Sequence, residues 1–230
     1  MTAPTILLFD IDGTLLHSRG AGRRALNRAF EEVLGVSSAT KGIDFRGMTD
    51  TAILYAAFAA LGMDHDPEQA ARIIDRYVML LEQELLSGDP TLVFPGVVPL
   101  LDWIRACLPR CAIGLGTGNV RAGAYAKLRA VDLDRHFDFG GFGCDHAERD
   151  QILRIGSQRG ATKLNADLGH CKVLVIGDTR RDVQAASAIG AECIAVGTGG
   201  IGLDELKASG ATLAVDTLED PRIRRRLEQL

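Results

Sequence analysis

Short apolar runs that alternate with helical patterns constrain this chain more than any other feature of it. Thr5-Ile-Leu-Leu-Phe9 is short, apolar and bounded by polar residues, which suits a strand buried on both faces. Comparable runs follow at residues 112–115, 137–142, 172–176 and 192–196, with a weaker one at 212–215. Apolar spacings of three and four between them predict helices over 97–106, 122–131, 182–189 and 203–209. Strand and helix in alternation imply an α/β fold, a Rossmann-like and mostly parallel sheet with helices on both faces.

One region departs from that rhythm. From about residue 19 to 86 the pattern is helical throughout, with helices expected over 21–34, 50–61 and 67–86. Pro67 after Asp66 is a good helix start, because the first turn needs no donor from proline. Ser87-Gly-Asp-Pro90 then punctuates the chain. The expected organisation is a core of residues 1–16 and 90–230 with a small helical domain, residues 17–89, inserted after the first strand.

Composition narrows the class. A net charge of −4 gives no basic balance for nucleic acid. The dense basic run from Arg222 to Arg226 reads as the solvated face of a terminal helix. The five cysteines are scattered and odd in number, without Cys-x-x-Cys, so neither a disulfide framework nor a zinc site is expected. Reduced thiols fit the cytosol. No apolar stretch reaches the roughly 18–20 residues of a membrane helix, and no basic region precedes the first apolar run. A soluble cytoplasmic protein is expected, with no membrane or nucleic-acid partner; oligomeric state has no signature.

Ligands of open parallel sheets bind beyond the carboxyl ends of the strands. Three such ends are densely polar. Asp10-Ile-Asp12-Gly13-Thr14 places two carboxylates at the end of the first strand, where they repel each other and call for a cation or a proton. Magnesium, which prefers oxygen ligands, fits that need. Gly116-Thr117-Gly118-Asn119 offers a hydroxyl and glycine-rich amides to phosphate oxygens. Gly177-Asp178-Thr-Arg-Arg-Asp182 adds two carboxylates, with Asp178 placed on its strand as Asp10 is on its own. Asp182 reads either as a helix N-cap or as part of the site.

Asp-Ile-Asp-Gly-Thr, a strand ending in Thr-Gly-Asn, and Gly-Asp-x-x-x-Asp, in this order and spacing, resemble motifs one, two and four of the haloacid dehalogenase-like hydrolases. The helical insertion resembles that superfamily's cap, and Phe94-Pro-Gly-Val97 its return to the core. The resemblance covers nearly the whole chain. It implies a phosphatase with Asp10 as nucleophile and Asp12 as acid and then base. It further implies Mg2+ held by Asp10, Asp178 and the backbone carbonyl of Asp12. Asp182 would support that site, and Thr117, Gly118 and Asn119 would bind phosphoryl oxygens.

Motif three of this superfamily is usually Lys-Pro, and the chain has none. Arg149, before a helix, is favoured over Lys163, because arginine can fork onto a carboxylate and a phosphate together. Arg46, between helices of the insertion, is a candidate for a second acidic group of the substrate. His17 marks the hinge, Trp103 and Tyr77 read as core, and Gly197-Thr-Gly-Gly-Ile-Gly202 reads as a loop rather than a dinucleotide fingerprint.

The expected activity is hydrolysis of a small phosphorylated metabolite such as phosphoglycolate or a sugar phosphate. A phosphomutase on the same carboxylates is the alternative. A dehalogenase needs neither Asp12 nor Asp178, and a silent binding protein should have lost Asp10 or Asp12.

Overall fold

The computed structural model describes residues 3–230. In chain order β1 (Thr5–Phe9) leads to β2 (Leu16–His17), then helices α1 (Ala21–Leu34), α2 (Asp50–Ala60) and α3 (Pro67–Ser87), then β3 (Leu92–Val93). There follow α4 (Val97–Cys107), β4 (Cys111–Gly116), α5 (Arg121–Arg129), β5 (Gly140–Gly141) and α6 (Arg149–Lys163). The chain finishes with β6 (Lys172–Gly177), α7 (Arg180–Ala188), β7 (Glu192–Val196), α8 (Leu203–Ala208), β8 (Leu213–Val215) and α9 (Pro221–Glu228).

Six strands form one parallel sheet in the order β5-β4-β1-β6-β7-β8. β1 lies inside it, with Leu7 opposite Ile113 on one side and Leu174 on the other. Its five residues are all buried, because alternate side chains enter two different cores. Leu7 and Phe9 pack with α4, α5 and α9 through Leu101, Leu128 and Ile223. Ile6 and Leu8 pack with α6, α7 and α8 through Leu153, Val183 and Leu206. Each such side chain contributes about 1.5–3 kcal/mol by leaving water.

The chain leaves the sheet at β2 and returns at β3, which pair antiparallel with Leu16 opposite Val93. Between them α1, α2 and α3 enclose a third core around Phe30, Phe58, Ile73 and Leu80, which also takes in Val120, the N-cap of α5, and Ala126 within α5. Asp66 caps α3 by accepting the Glu68 amide at 2.9 Å, with Pro67 in the first turn. Among the described residues no helix is long and apolar enough to cross a membrane.

The run at 137–142 differs from expectation. Only Gly140 and Gly141 pair, opposite Leu115 and Gly116. Phe137, Phe139 and Phe142 are buried all the same, in two different cores. Glycine is needed at 141, where an added Cβ would stand 1.9 Å from the Ile152 carbonyl oxygen of α6. The apolar content of this edge thus reports packing under α6 rather than a long strand.

Candidate active site

β1, β4 and β6 end side by side where the order of the sheet reverses, the place at which open sheets bind ligands. Asp10 follows β1, Thr117 follows β4 and Asp178 follows β6. Oxygens of Asp10, Asp178 and Asp182 lie within 4.8 Å of one another, and all three residues are buried. Thr14 donates to Asp178 at 3.1 Å. Gly13 and Gly199 lie so close that an added Cβ would be 2.3 and 1.7 Å from Asp178 Oδ2. The glycine-rich loop after β7 is therefore packed against the site, tied to the carbonyl of Gly13 by the Thr198 hydroxyl.

Arg149 enters this cluster from the first turn of α6, its nitrogen 3.1 Å from Asp10 and 2.5 Å from Asp182. A cation at a helix N-terminus opposes the helix dipole, so these carboxylates rather than local preference hold it there. Burial alone would weaken the Arg149 charge, but facing Asp182, Asp10 and Asp178 it is kept protonated beyond the ordinary arginine range. Lys163 lies elsewhere, half-exposed and paired with Asp138.

Asp182 is not the helix N-cap. Thr179 is, and Asp182 Oδ2 accepts the Thr179 amide and hydroxyl at 2.9 and 2.6 Å in a capping box. Its other oxygen faces Arg149. Asp182 thus braces both the start of α7 and the guanidinium.

Burial pushes the Asp10 carboxyl up to about 6, opposed by Arg149 and reinforced by Asp182 and Asp12. Burial also raises Asp178 well above the carboxylate range, with Asp182 and Asp10 adding to it. One guanidinium does not balance three carboxylates, and the cluster favours proton uptake or a further cation. An all-oxygen donor set fits a hard divalent ion such as Mg2+.

Asp12 belongs to a second network. Its Oδ2 accepts from Lys127 Nζ at 2.6 Å and from Asn119 Nδ2 at 2.8 Å. Lys127 also donates to Asn119 Oδ1 at 2.6 Å. Burial opposes ionisation of Asp12, yet the charge and hydrogen bond of Lys127 outweigh it and hold the carboxyl below its usual value. The Asp12 side chain remains 42 % exposed, open to the cavity. Thr117 is fully buried, its hydroxyl accepting from Asn119 Nδ2 at 2.9 Å. Gly118 is small for a reason beyond anion binding: an added Cβ would lie 2.4 Å from the Met48 carbonyl oxygen of the helical insertion.

Lys127 was not foreseen as a site residue, although a signal exists. Val120, Gly123, Ala124, Lys127 and Leu128 fall at helical spacing on one buried stripe, and lysine is its only cation. Asp50 gave no such signal, reading as an ordinary first-turn acid of α2. It is buried and accepts the Val120 amide at 2.8 Å, while its own amide donates to Gly118 at 2.8 Å. Burial raises its carboxyl to about 6, against the pull of Lys127.

A cavity of about 470 Å³ runs from this site into the insertion. Asp10, Asp12, Asp178, Arg149, Gly118 and Asn119 line its floor, and His17 and Arg46 also border it. Arg46 is exposed and forks onto Asp44, so it stands at the rim already paired. Tyr77 is core to the insertion and also reaches the cavity.

The family model described as haloacid dehalogenase-like hydrolase matches residues 4–190. A protein named probable phosphatase IndB from Dickeya dadantii is 27% identical over 223 residues, 94% of this chain and 90% of that protein. A phosphoglycolate phosphatase from Pseudomonas putida is 24% identical over 219 residues, 94% of this chain and 78% of that protein. Among solved structures, a hydrolase from Pseudomonas syringae superposes with TM-score 0.70 at 24% identity, covering 98% of this chain and 99% of the other. A mutant of CbbY from Rhodobacter sphaeroides, in complex with xylulose-(1,5)bisphosphate, gives 0.73 at 20% identity, covering 95% and 96%.

Proposed function

The chain belongs to the haloacid dehalogenase-like hydrolase family and is a phosphatase of it, and on that premise we propose that it hydrolyses a small phosphomonoester through a phosphoryl group carried on Asp10. The observation that carries this reading is the division of the two carboxylates. Asp10 sits with Arg149, Asp178 and Asp182, while Asp12 is held apart by Lys127 and Asn119.

In this reading an Asp10 oxygen attacks phosphorus in line, and the P–O bond to the alcohol breaks. Asp12 gives its proton to the departing oxygen. Asp12 then takes a proton from the water that attacks the phospho-aspartate, which frees phosphate and restores Asp10. The depressed Asp12 pKa suits the second step. An approaching phosphate dianion raises it again, which suits the first. Thr117, Gly118 and Asn119 receive phosphoryl oxygens, Gly118 and Asn119 from the lining of the cavity and Thr117 from beneath Asn119, whose amide its hydroxyl accepts. Asp10, Asp178 and the Asp12 carbonyl, with Asp182 behind them, would hold Mg2+, whose charge screens nucleophile from phosphate.

We assign residues 17–89 as the cap and residues 1–16 and 90–230 as the catalytic core. The cap excludes water from the reaction. All five cysteines are free thiols, which fits a cytoplasmic enzyme.

The test is phosphate release from a panel of small phosphomonoesters, with Mg2+ and with chelator. Release that chelator removes and Mg2+ restores is expected. Transfer of the phosphoryl group within a sugar phosphate, with no net release, would instead establish a mutase.

Lys127→Met keeps the length and apolar stem of the side chain but leaves Asp12 and Asn119 unheld. A fall in kcat of about ten- to a hundredfold is expected, with a lower melting temperature as well, because a buried pair is broken, so kcat is referred to folded enzyme. Unchanged kcat would reduce Lys127 to a packing residue.

A further inference from the structure

We infer that the alcohol half of the substrate is larger than a two-carbon acid, has an apolar face and carries a second anionic group that Arg23 binds. This deepens the phosphatase reading and rests on it. Three observations carry it: the size of the cavity, the character of its upper wall, and a cation built into that wall without a carboxylate.

The cavity holds about 470 Å³. A two-carbon phosphate acid occupies on the order of 150 Å³ at protein packing density, so most of the space would stay wet. Asp50 and Tyr77 line the cavity too, but its apolar part comes from Leu26, Phe45, Met48 and Ile53 of the insertion. Water gains little against such a surface, and an apolar face of a ligand gains about 25 cal/mol per Å² by covering it. Gly22 of α1 also lines this space. An added Cβ there would meet Tyr77 Oη at 3.6 Å and Lys127 Nζ at 3.9 Å, ordinary contact distances. Sterics therefore do not demand glycine at 22; its effect is to leave room.

Arg23 lines the same cavity. Its guanidinium donates to the carbonyls of Thr40 and Ile43 at 2.8 and 2.7 Å and lies 3.9 Å from the centre of the Phe45 ring. Two carbonyls and an aromatic face fix its position without neutralising it. Among the described residues no carboxylate pairs with Arg23. Arg46, by contrast, is occupied by Asp44, and Lys127 by Asp12. Arg23 is half-buried, where an unpaired charge is costly and an incoming anion is worth more than in water. Its fork retains donors for a carboxylate or a second phosphate.

Phenyl phosphate and 4-carboxyphenyl phosphate are the probes, differing in one carboxylate on the same apolar ring, with 2-phosphoglycolate as the two-carbon reference. Steady-state kinetics are measured with Mg2+ for the wild type, Arg23→Gln and Gly22→Leu. In the wild type the carboxylated ester should exceed phenyl phosphate in kcat/KM by about ten- to a hundredfold, mainly through KM. Arg23→Gln should collapse that ratio toward one. Gly22→Leu should lower both aryl esters relative to 2-phosphoglycolate. Loss of folding would lower all three esters together and leave the ratios in place, so the ratios isolate the binding role. Equal kcat/KM for the two aryl esters in the wild type, or a ratio untouched by Arg23→Gln, would overturn the inference while leaving the phosphatase reading intact. No phosphate release from any ester would overturn both.

Discussion

Asp10→Asn is expected to abolish phosphate release while leaving the protein folded and, without metal, more heat-resistant than the wild type above about pH 6. Loss of activity follows from the chemistry. An amide oxygen does not attack phosphorus as a carboxylate does, and no other carboxylate occupies its place: Asp12 is bound to Lys127 and Asn119, and Asp178 to Thr14. A residual rate below about a thousandth of the wild type is expected.

The stability change follows from the electrostatics. Burial, with Asp182 and Asp12 nearby, raises the folded pKa of Asp10 from 3.8 to about 6. The folded state therefore binds this proton more tightly than the unfolded chain. That contribution is full below pH 3.8 and is lost as pH rises through 6. At pH 8 the wild type keeps a buried charge that asparagine does not have, a difference on the order of 2–3 kcal/mol. Thermal unfolding with chelator should show Asp10→Asn melting higher at pH 8 and level with the wild type near pH 4. On the proposed metal site, added Mg2+ should favour the wild type, since the variant lacks the Asp10 carboxylate. Wild-type turnover by the variant would remove Asp10 from the nucleophile's role. A lower melting point at pH 8 would show that Arg149 balances the cluster unaided.

Much of this arrangement was legible because it rests on local rules. The buried strands Thr5–Phe9 and Glu192–Val196 and the helix Ala21–Leu34 appear where periodicity set them. Carboxylates at strand ends are brought together by any parallel sheet with this order of elements. The less legible features depend on contacts between distant segments. Residues 137–142 read as a strand because three phenylalanines are buried there, but two cores rather than a ladder bury them. Asp50 looks like a first-turn acid until the start of α2 is seen to dock on Gly118 and Val120. Lys127 lies between: its place on an apolar stripe was readable, whereas its partners Asp12 and Asn119 come from other loops.

Arg149→Ala should reduce kcat/KM by about a thousandfold, whereas Lys163→Ala should leave it within about twofold. The two residues open and close the same helix, and their surroundings decide between them. Lys163 is 55% exposed and its partner Asp138 61% exposed, a surface pair worth about 0–1 kcal/mol and remote from the cluster. Arg149 is the cation shared by Asp10 and Asp182. Its removal leaves Asp182, wholly buried, facing no positive charge. Breaking a buried pair in this way costs about 3–5 kcal/mol, so stability will fall as well and activity must be referred to folded enzyme. Arg149→Lys separates the two effects. It restores a charge that can face both carboxylates, as the single Nη2 does, but not the other donors of the guanidinium, so stability should recover more than kcat/KM. If Lys163→Ala proved the more damaging change, the motif-three role would pass to Lys163, and Arg149 would be left as a brace between β1 and α7. Full recovery of both quantities in Arg149→Lys would mean that charge alone is needed there, and that the favour shown to arginine at this position has no chemical basis.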